Sequence, residues 1–292
     1  MINRRSFVKG MSLTAVAIST CGFVRFNGKS FEGDCKTTTD ILGPFYRPDS
    51  PVRSDLVVGD LVGDEVSLMG TIFHDDCATP LEKAKIELWH CSADQVYDNE
   101  SEDYHFRGTT FASAEGHYKF RTQMPVPYDA GGGNYRPAHF HIMISAPGYQ
   151  SLVTQLYFSG DPYLEKDESS KHPSAKSRIF EISKNDAGIV QVPFNVIMQK
   201  QIPVDVSVLN RLAGTYHENV RDRNLEFFVY EDKLWLKNEL FGINLEYKGE
   251  NIFAPPSGSD NRVEFQFMSD ENGRSALTIK TNSQDYMAVK VS

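Results

Sequence analysis

Short apolar runs alternate with turn residues along most of the chain. The segments "EVSLMGTIFH" (65–74), "KAKIELWHC" (83–91), "GHYKFRTQ" (116–123), "HFHIMISA" (139–146), "SLVTQLYF" (151–158), "SRIFEISK" (177–184) and "IVQVPFNVIM" (189–198) have the length and the β-branched or aromatic content of strands. No helical period dominates. The pattern predicts an all-β protein whose first part, residues 31–202, is an antiparallel β-sandwich. Between Ser159 and Arg178 the chain is polar and charged and reads as a surface loop, while "DAGGGN" (129–134) reads as a flexible turn. Beyond a boundary near Pro203, "LEFFVYEDKLWLKN", "INLEYKGENIFAPP", "RVEFQFMSDENGRSALTIK" and "DYMAVKVS" alternate well and are split by turns such as "DENG". They predict a second, small β-rich module over residues 207–292.

Composition excludes wholesale disorder, since 40% of the 292 residues are hydrophobic. A net charge of -9, with no basic block beyond the extreme N-terminus, speaks against a nucleic-acid partner. The first residues differ in kind from the rest. A basic start precedes a mildly apolar run from Met11 to Val24, too short to span a bilayer comfortably, so residues 1–30 read as an export signal. Asn3, Arg4, Arg5, Ser6, Phe7, Val8 and Lys9 resemble the bacterial twin-arginine signal, whose route carries folded proteins and so allows a metal to be inserted before export. The expected location is the periplasm, or the cell envelope through a lipid on Cys21, which follows "IST". In an oxidising compartment cysteines pair by default. Cys77 and Cys91 each end a predicted strand, and a disulfide between them closes a loop of about 15 residues, worth roughly 3 kcal/mol in the chain-entropy picture. That pair is expected, with two unpaired buried thiols as the alternative, and Cys35 is left unassigned.

The candidate chemistry lies in the histidine segment. Successive strand side chains alternate faces, so His139 and His141 project to the same side, where one metal can take both. Alone this is a modest signal, because such pairs also occur on solvated strands. Its neighbours add to it. "ILGPFYRPDSP" (41–51), "GTIFHDDCATPLEKAKIELWHCSADQVY" (70–97), "YRPAHFHIMISAPGY" (135–149) and "LVTQLYFSGDPY" (152–163) follow one another in order. Over roughly residues 35–200 the chain, through these segments, resembles the intradiol ring-cleaving catechol dioxygenases, the family of catechol 1,2-dioxygenase and protocatechuate 3,4-dioxygenase.

That resemblance implies Fe(III) held by two tyrosines and two histidines. Tyr97, eight residues after Trp89, and Tyr128, in "PVPYD", match the tyrosines, and His139 and His141 match the histidine pair. It implies cleavage of a catechol-type ring between its two hydroxyl-bearing carbons by O2, giving a cis,cis-muconate type product, with Tyr128 as the ligand that leaves and takes a proton. Imidazole suits iron, and phenolate is a hard anionic ligand that favours the ferric state. Arg136 matches an arginine that offsets negative charge on the substrate, Gln155 a glutamine that orients it, and Ile41 and Pro44 residues of the substrate pocket. The bland readings stay open: a strand-start arginine, a buried structural amide and two core residues. Tyr135 stands at a packing position before Arg-Pro and is not expected to bind metal, and Tyr104, Tyr118, Tyr149 and Tyr157 are expected to pack in or on the sandwich.

Three departures qualify the resemblance. Gln95 stands where the family has a glycine, which puts the local turn in doubt; Asp129 and Ala130 stand where protocatechuate enzymes carry aromatic pocket residues; and no long helical segment precedes "GPFY", so an open pocket for larger catechols is expected. Residues 207–292 resemble, through "LAGTY", small β-barrel modules appended to some exported enzymes, and with His217 as the module's one histidine they read as packing or targeting. Two other functions compete. An exported, non-catalytic β-sandwich binding protein would retain the fold without needing Tyr97, Tyr128, Arg136, His139 and His141 together. A zinc hydrolase lacks a third ligand and a general-base carboxylate near the pair. Which catechol is the substrate, and whether the chain forms a homo-oligomer, are left open.

Overall fold

The computed structural model describes residues 18–19, 22–26, 31–33, 36–57, 61–256, 263–269 and 275–292. The twin-arginine motif at Arg4 and Arg5, the candidate lipid site Cys21, and Cys35 lie outside them. Ile18–Ser19 (β1), Gly22–Phe26 (β2) and Phe31–Gly33 (β3) form a small antiparallel sheet. The sandwich follows in chain order as β4 (Glu65–Phe73), β5 (Lys85–Trp89), β6 (Arg107–Phe111), β7 (His117–Gln123), a ribbon of β8 (Tyr128–Asp129) and β9 (Tyr135–Arg136), then β10 (His139–Ser145) and β11 (Leu152–Phe158). Four short strands complete it: β12 (Ile179–Phe180), β13 (Ser183–Lys184), β14 (Val190–Pro193) and β15 (Val196–Ile197). One sheet runs β12-β11-β10-β5-β6; the other gathers β13, β14, β7 and β15 around β4. Leu68, Phe120 and Val192 from one sheet meet Ile86, Phe140, Ile142 and Leu156 from the other in the buried core.

The sheets are mixed rather than purely antiparallel. β12 pairs parallel with β11, and β14 and β15 pair parallel with β4, because the last sandwich strands return along neighbours already laid down. The apolar run 189–198 is broken at Pro193, where Asn195 Oδ1 takes over as acceptor for the Thr71 amide at 2.9 Å. β6, "RGTTF", carries too little apolar character to announce itself as a strand.

The register sets up the site. Across three strands Trp89, His141 and Gln155 stand opposite one another, with Met143 between Glu87 and Val153, and His139 opposite Tyr157. These residues project from the face of the sheet turned away from the sandwich core, yet β10 and β11 are buried almost throughout. Something else therefore covers that face.

Part of the cover is the second module. Asp205 caps a short helix, α1 (Val206–Leu212), by accepting from Ser207 N at 2.7 Å. Then β16 (Gly214–Glu218), β17 (Arg223–Tyr230), β18 (Lys233–Lys237), β19 (Gly242–Gly249), β20 (Ile252–Ala254), β21 (Val263–Ser269), β22 (Ser275–Thr281) and β23 (Asp285–Lys290) close an antiparallel barrel. Its interior holds Phe227, Leu234, Leu245, Phe253, Phe265, Phe267 and Leu277. The alternate positions Phe228, Tyr230 and Trp235 point outward and, with Phe241, join Tyr46 and Trp89 of the sandwich in one cluster.

The expected Cys77–Cys91 disulfide does not form. Cys77 is disulfide-bonded, but not to Cys91, which is a free buried thiol whose Sγ donates to Val126 O at 3.3 Å. Cys77 lies in the turn between β4 and β5 and Cys91 just beyond the end of β5, so the length of β5 separates them. At about 3.3 Å per residue, β5 alone carries them beyond the roughly 7 Å Cα reach of a disulfide.

Candidate metal centre

His139 and His141 are each 1% exposed, and their Nε2 atoms face each other at 3.1 Å. His139 Nδ1 lies 2.6 Å from Pro137 O and can only donate there, so its Nε2 carries a lone pair pointing into the site. His141 is held differently. Its Nδ1 has no hydrogen-bond partner among the described residues, but its ring is stacked on Trp89, with centroids 5.0 Å apart and planes 5° apart. On the other side Gly43 approaches so closely that a Cβ there would stand 3.0 Å from His141 Cε1.

The two tyrosines arrive from separate loops. Tyr97 Oη lies 3.4 Å from His139 Nε2, and its ring stacks on Phe45 at 4.4 Å. It follows a turn in which Gln95 takes φ +66°, the left-handed conformation that glycine adopts without strain, so the turn is kept despite the larger residue. The next residues are tied down by Arg107, 1% exposed, which donates to Asp98 O at 2.6 Å, Phe45 O at 2.7 Å and Asn99 Oδ1 at 2.9 Å. Tyr128, on β8, meets the Tyr97 ring edge-on at 5.4 Å and the His139 ring at 5.7 Å. Its strand partner is Arg136, which brings the guanidinium to the same place.

Arg136 is itself surrounded. Its Nη2 donates to Gln155 Oε1 at 2.9 Å, and its Nε donates to Asp167 Oδ1 at 2.8 Å. Gln155 is satisfied at its other end as well, donating from Nε2 to Ile41 O at 2.7 Å. Tyr157 Oη stands 2.9 Å from both Gln155 Oε1 and Asp40 Oδ2, and Asp40 forms a buried ion pair with Arg178. Asp40, Asp167, Tyr157 and Arg178 thus belong to the site's support. Asp167 and Arg178 come from the stretch expected to be a surface loop; it turns inward there, with Ser169, Ser170, Ala175 and Arg178 buried. Ile41 and Pro44 flank Gly43 and are exposed, at the rim. Tyr135 is 39% exposed and stacks on Tyr163, away from the four convergent rings, while Tyr118 and Tyr149 are buried in the sandwich and Tyr104 lies under Arg47.

Burial keeps the histidine nitrogens of the site free of extra protons. Burial holds His139 at about 3, with Arg136 adding to the effect, and burial with His139 holds His141 well below its ordinary value. Burial also raises Tyr97 well above the phenol range and raises Tyr128, which Arg136 pulls partly back. Two polar atoms, Tyr97 Oη and His141 Nε2, crowd on the one lone pair of His139 Nε2. Among the described residues no group of three or more His, Cys, Asp or Glu side chains offers a metal site, so the phenols are what complete this one. Two imidazoles and two phenols form a donor set that fits iron.

The comparisons with known proteins agree with this geometry. A family model described as Dioxygenase matches residues 41–199. The chlorocatechol 1,2-dioxygenase of Rhodococcus opacus is 34% identical over 157 residues, 46% of this chain and 61% of that protein. The catechol 1,2-dioxygenase of Candida albicans is 34% identical over 152 residues, 45% of this chain and 50% of that one. This chain therefore spans only 50% to 61% of these relatives' length. Among solved structures, the 3-chlorocatechol 1,2-dioxygenase of Rhodococcus opacus 1CP has a TM-score of 0.50 at 26% identity, covering 56% of this chain and 72% of that one. With a family match over more than half of its residues, the chain belongs to the intradiol ring-cleaving dioxygenases.

Proposed function

We propose that the protein is a non-haem Fe(III) dioxygenase that opens a catechol-type ring between its two hydroxyl-bearing carbons, both atoms of O2 entering a muconate-type dicarboxylate. The observation that carries this reading is the convergence of Tyr97 Oη, His139 Nε2 and His141 Nε2 beside the Tyr128 ring. These four side chains would hold the iron. When bound, the ion would supply Lewis acidity that acidifies the catechol hydroxyls, so that the substrate is held as a dianion whose ring is electron-rich toward oxygen.

The chain's own residues do the rest. Tyr128, as the phenolate that would ligate the ion, is the group placed to take a proton from the incoming catechol, and its burial, which raises the phenol's hold on a proton, favours that transfer. Arg136 stands over the same point as a permanent cation that offsets negative charge on substrate oxygens, and Asp167 and Gln155 fix its plane. Burial of both histidines and both tyrosines limits water at the donor atoms themselves. Ile41 and Pro44, exposed beside Gly43, are the residues we assign to the substrate's far edge.

Iron-loaded protein should be red to purple from phenolate-to-iron charge transfer, and an oxygen electrode run over a panel of catechols should show uptake. Tyr128→Phe is expected to weaken the colour and slow turnover on the order of 10²-fold, while Tyr135→Phe keeps both. Equal losses in the two variants would overturn the ligand assignment. Colourless iron-loaded protein without catechol-dependent oxygen uptake would favour the non-catalytic binding protein. From residues 1–30 we also propose export to the periplasm or envelope, which cell fractionation of an Arg4→Lys, Arg5→Lys double variant tests: retention in the cytoplasm is expected, and unchanged export would sink it.

A further inference from the structure

We propose that the C-terminal barrel is part of the metal centre, fixing the ring of His141 through a buried aromatic column of Trp235, Tyr46 and Trp89. The inference rests on the metal-centre reading above. A ligating histidine ordinarily has its ring set by a hydrogen bond from the other nitrogen. His139 has one, to Pro137 O, and His141 has none among the described residues. Its orientation is left to packing, between the Trp89 face and the close approach of Gly43.

The Trp89 face is in turn held from behind. Tyr46 packs edge-on against it at 5.2 Å, and Trp235 stacks on Tyr46 at 5.9 Å with planes 16° apart. Trp235 is locked in the barrel by Phe228 at 6.3 Å, Tyr230 at 5.9 Å and Phe241 at 5.1 Å, and its Nε1 donates to Tyr230 O at 3.1 Å. Tyr46 is 2% exposed and Trp235 1%, and both belong to the same apolar cluster as Tyr97 and Tyr128. Strand alternation makes the point sharper: Trp235 lies on the outer surface of the barrel, where a freely tethered module would be polar. Polar contacts pin the same junction, with Lys85 Nζ 2.7 Å from Glu231 Oε1 and Tyr230 Oη 3.0 Å from Asp49 Oδ1. Trp235 is a positioning residue acting through two others, and the barrel's outer face is the back wall of the site.

The test uses the full iron-loaded chain with Trp235→Ala, Trp235→Phe and Leu277→Ala. Leu277 is buried in the barrel's inner cluster and not in the cluster that holds the column, so its truncation destabilises the barrel while leaving the wall's own residues in place. Three quantities are read: the position of the charge-transfer band, the rate at which a chelator strips iron, and kcat against KM. Trp235→Ala is expected to shift the band and lose iron roughly tenfold faster or more, Trp235→Phe to stay near wild type, and Leu277→Ala to melt earlier while keeping band and iron. Should Trp235→Ala not fold, Trp235→Leu, which keeps burial without the planar face, reads the same quantities. Wild-type band and iron retention in Trp235→Ala, or equal changes in Leu277→Ala, would overturn the proposal. A wild-type protein with no band at all would instead overturn the metal-centre reading beneath it.

Discussion

Two single residues show how tightly the centre is built. Gly43 has φ +74°, and a Cβ there would press on the His141 ring at 3.0 Å from Cε1. Gly43→Ala therefore meets a backbone penalty of about 1–2 kcal/mol for an L-residue in the left-handed region and a contact that pushes the imidazole. The expected outcome is a lower melting temperature together with less iron per chain; an alanine variant with full iron content would show that His141 has room to move. Gln95 is the opposite case, a bulky residue at φ +66° where the family has glycine. Its turn is held by Ser92 N to Val96 O at 2.8 Å and Gln95 N to Ser92 O at 3.1 Å, so the backbone keeps its shape at the cost of local strain. Gln95→Gly is expected to raise stability by up to about 1 kcal/mol and leave the colour of the iron-loaded protein unchanged. A drop in denaturation midpoint would mean the Gln95 side chain contributes more than the strain it imposes. The sequence announced the departure at Gln95 but not its resolution, because whether a turn survives depends on hydrogen bonds between residues that composition does not reveal.

At the level of elements, the histidine strand was the most legible part of the chain and the segment after β11 the least. Alternation put His139 and His141 on one face, and family spacing brought Tyr97, Tyr128, Arg136 and Gln155 to it, which the register and contacts of β10, β9 and β11 show. Asp167 was not legible. It lies among Asp161, Glu165, Lys166 and Glu168, and nothing in so uniformly charged a stretch distinguishes the carboxylate that reaches Arg136 from Asp161, which turns inward to the Ala138 amide at 2.8 Å. Its two contacts with Arg136, at 2.8 and 3.3 Å, and the Ser170 amide donating to it at 2.8 Å, make it the main anchor of that guanidinium. Asp167→Asn removes the charge but keeps the shape. Turnover is expected to fall by one to two orders of magnitude as Arg136 loses its alignment, with Asp167→Glu partly restoring it and the charge-transfer band little changed in both. Loss of the band would instead give Asp167 a role in folding the ligand loops. The cysteines failed to read for a related reason: spacing gives loop lengths, and pairing depends on which ends of which strands meet.

For the molecule as a whole, the question is what joins sandwich to barrel, and the sequence held a sign of it. "LEFFVYEDKLWLKN" is apolar at both alternating sets of positions, one filling the barrel with Phe227 and Leu234 and the other, Phe228, Tyr230 and Trp235, left for a partner surface. A titratable group stands at the same junction. Lys233 donates to Ser151 of the sandwich, and burial, only partly offset by Glu231, lowers its amine from the ordinary 10.5 to about 8. Below about pH 8 the amine is charged in the folded and unfolded chain alike, and its burial penalty is felt in full. Between about 8 and 10.5 the unfolded chain binds a proton that the folded one does not, so stability rises with pH through this window. Lys85, raised by Glu87 and Glu231, keeps its charge there and its ion pairs persist. Denaturant unfolding at pH 7.5 and 9.5 should show the wild-type midpoint climbing, whereas Lys233→Met, which keeps the apolar stem and removes the charge, should start higher and stay flatter. Parallel slopes for the two proteins would place the titrating group elsewhere and remove Lys233 from the junction's energetics.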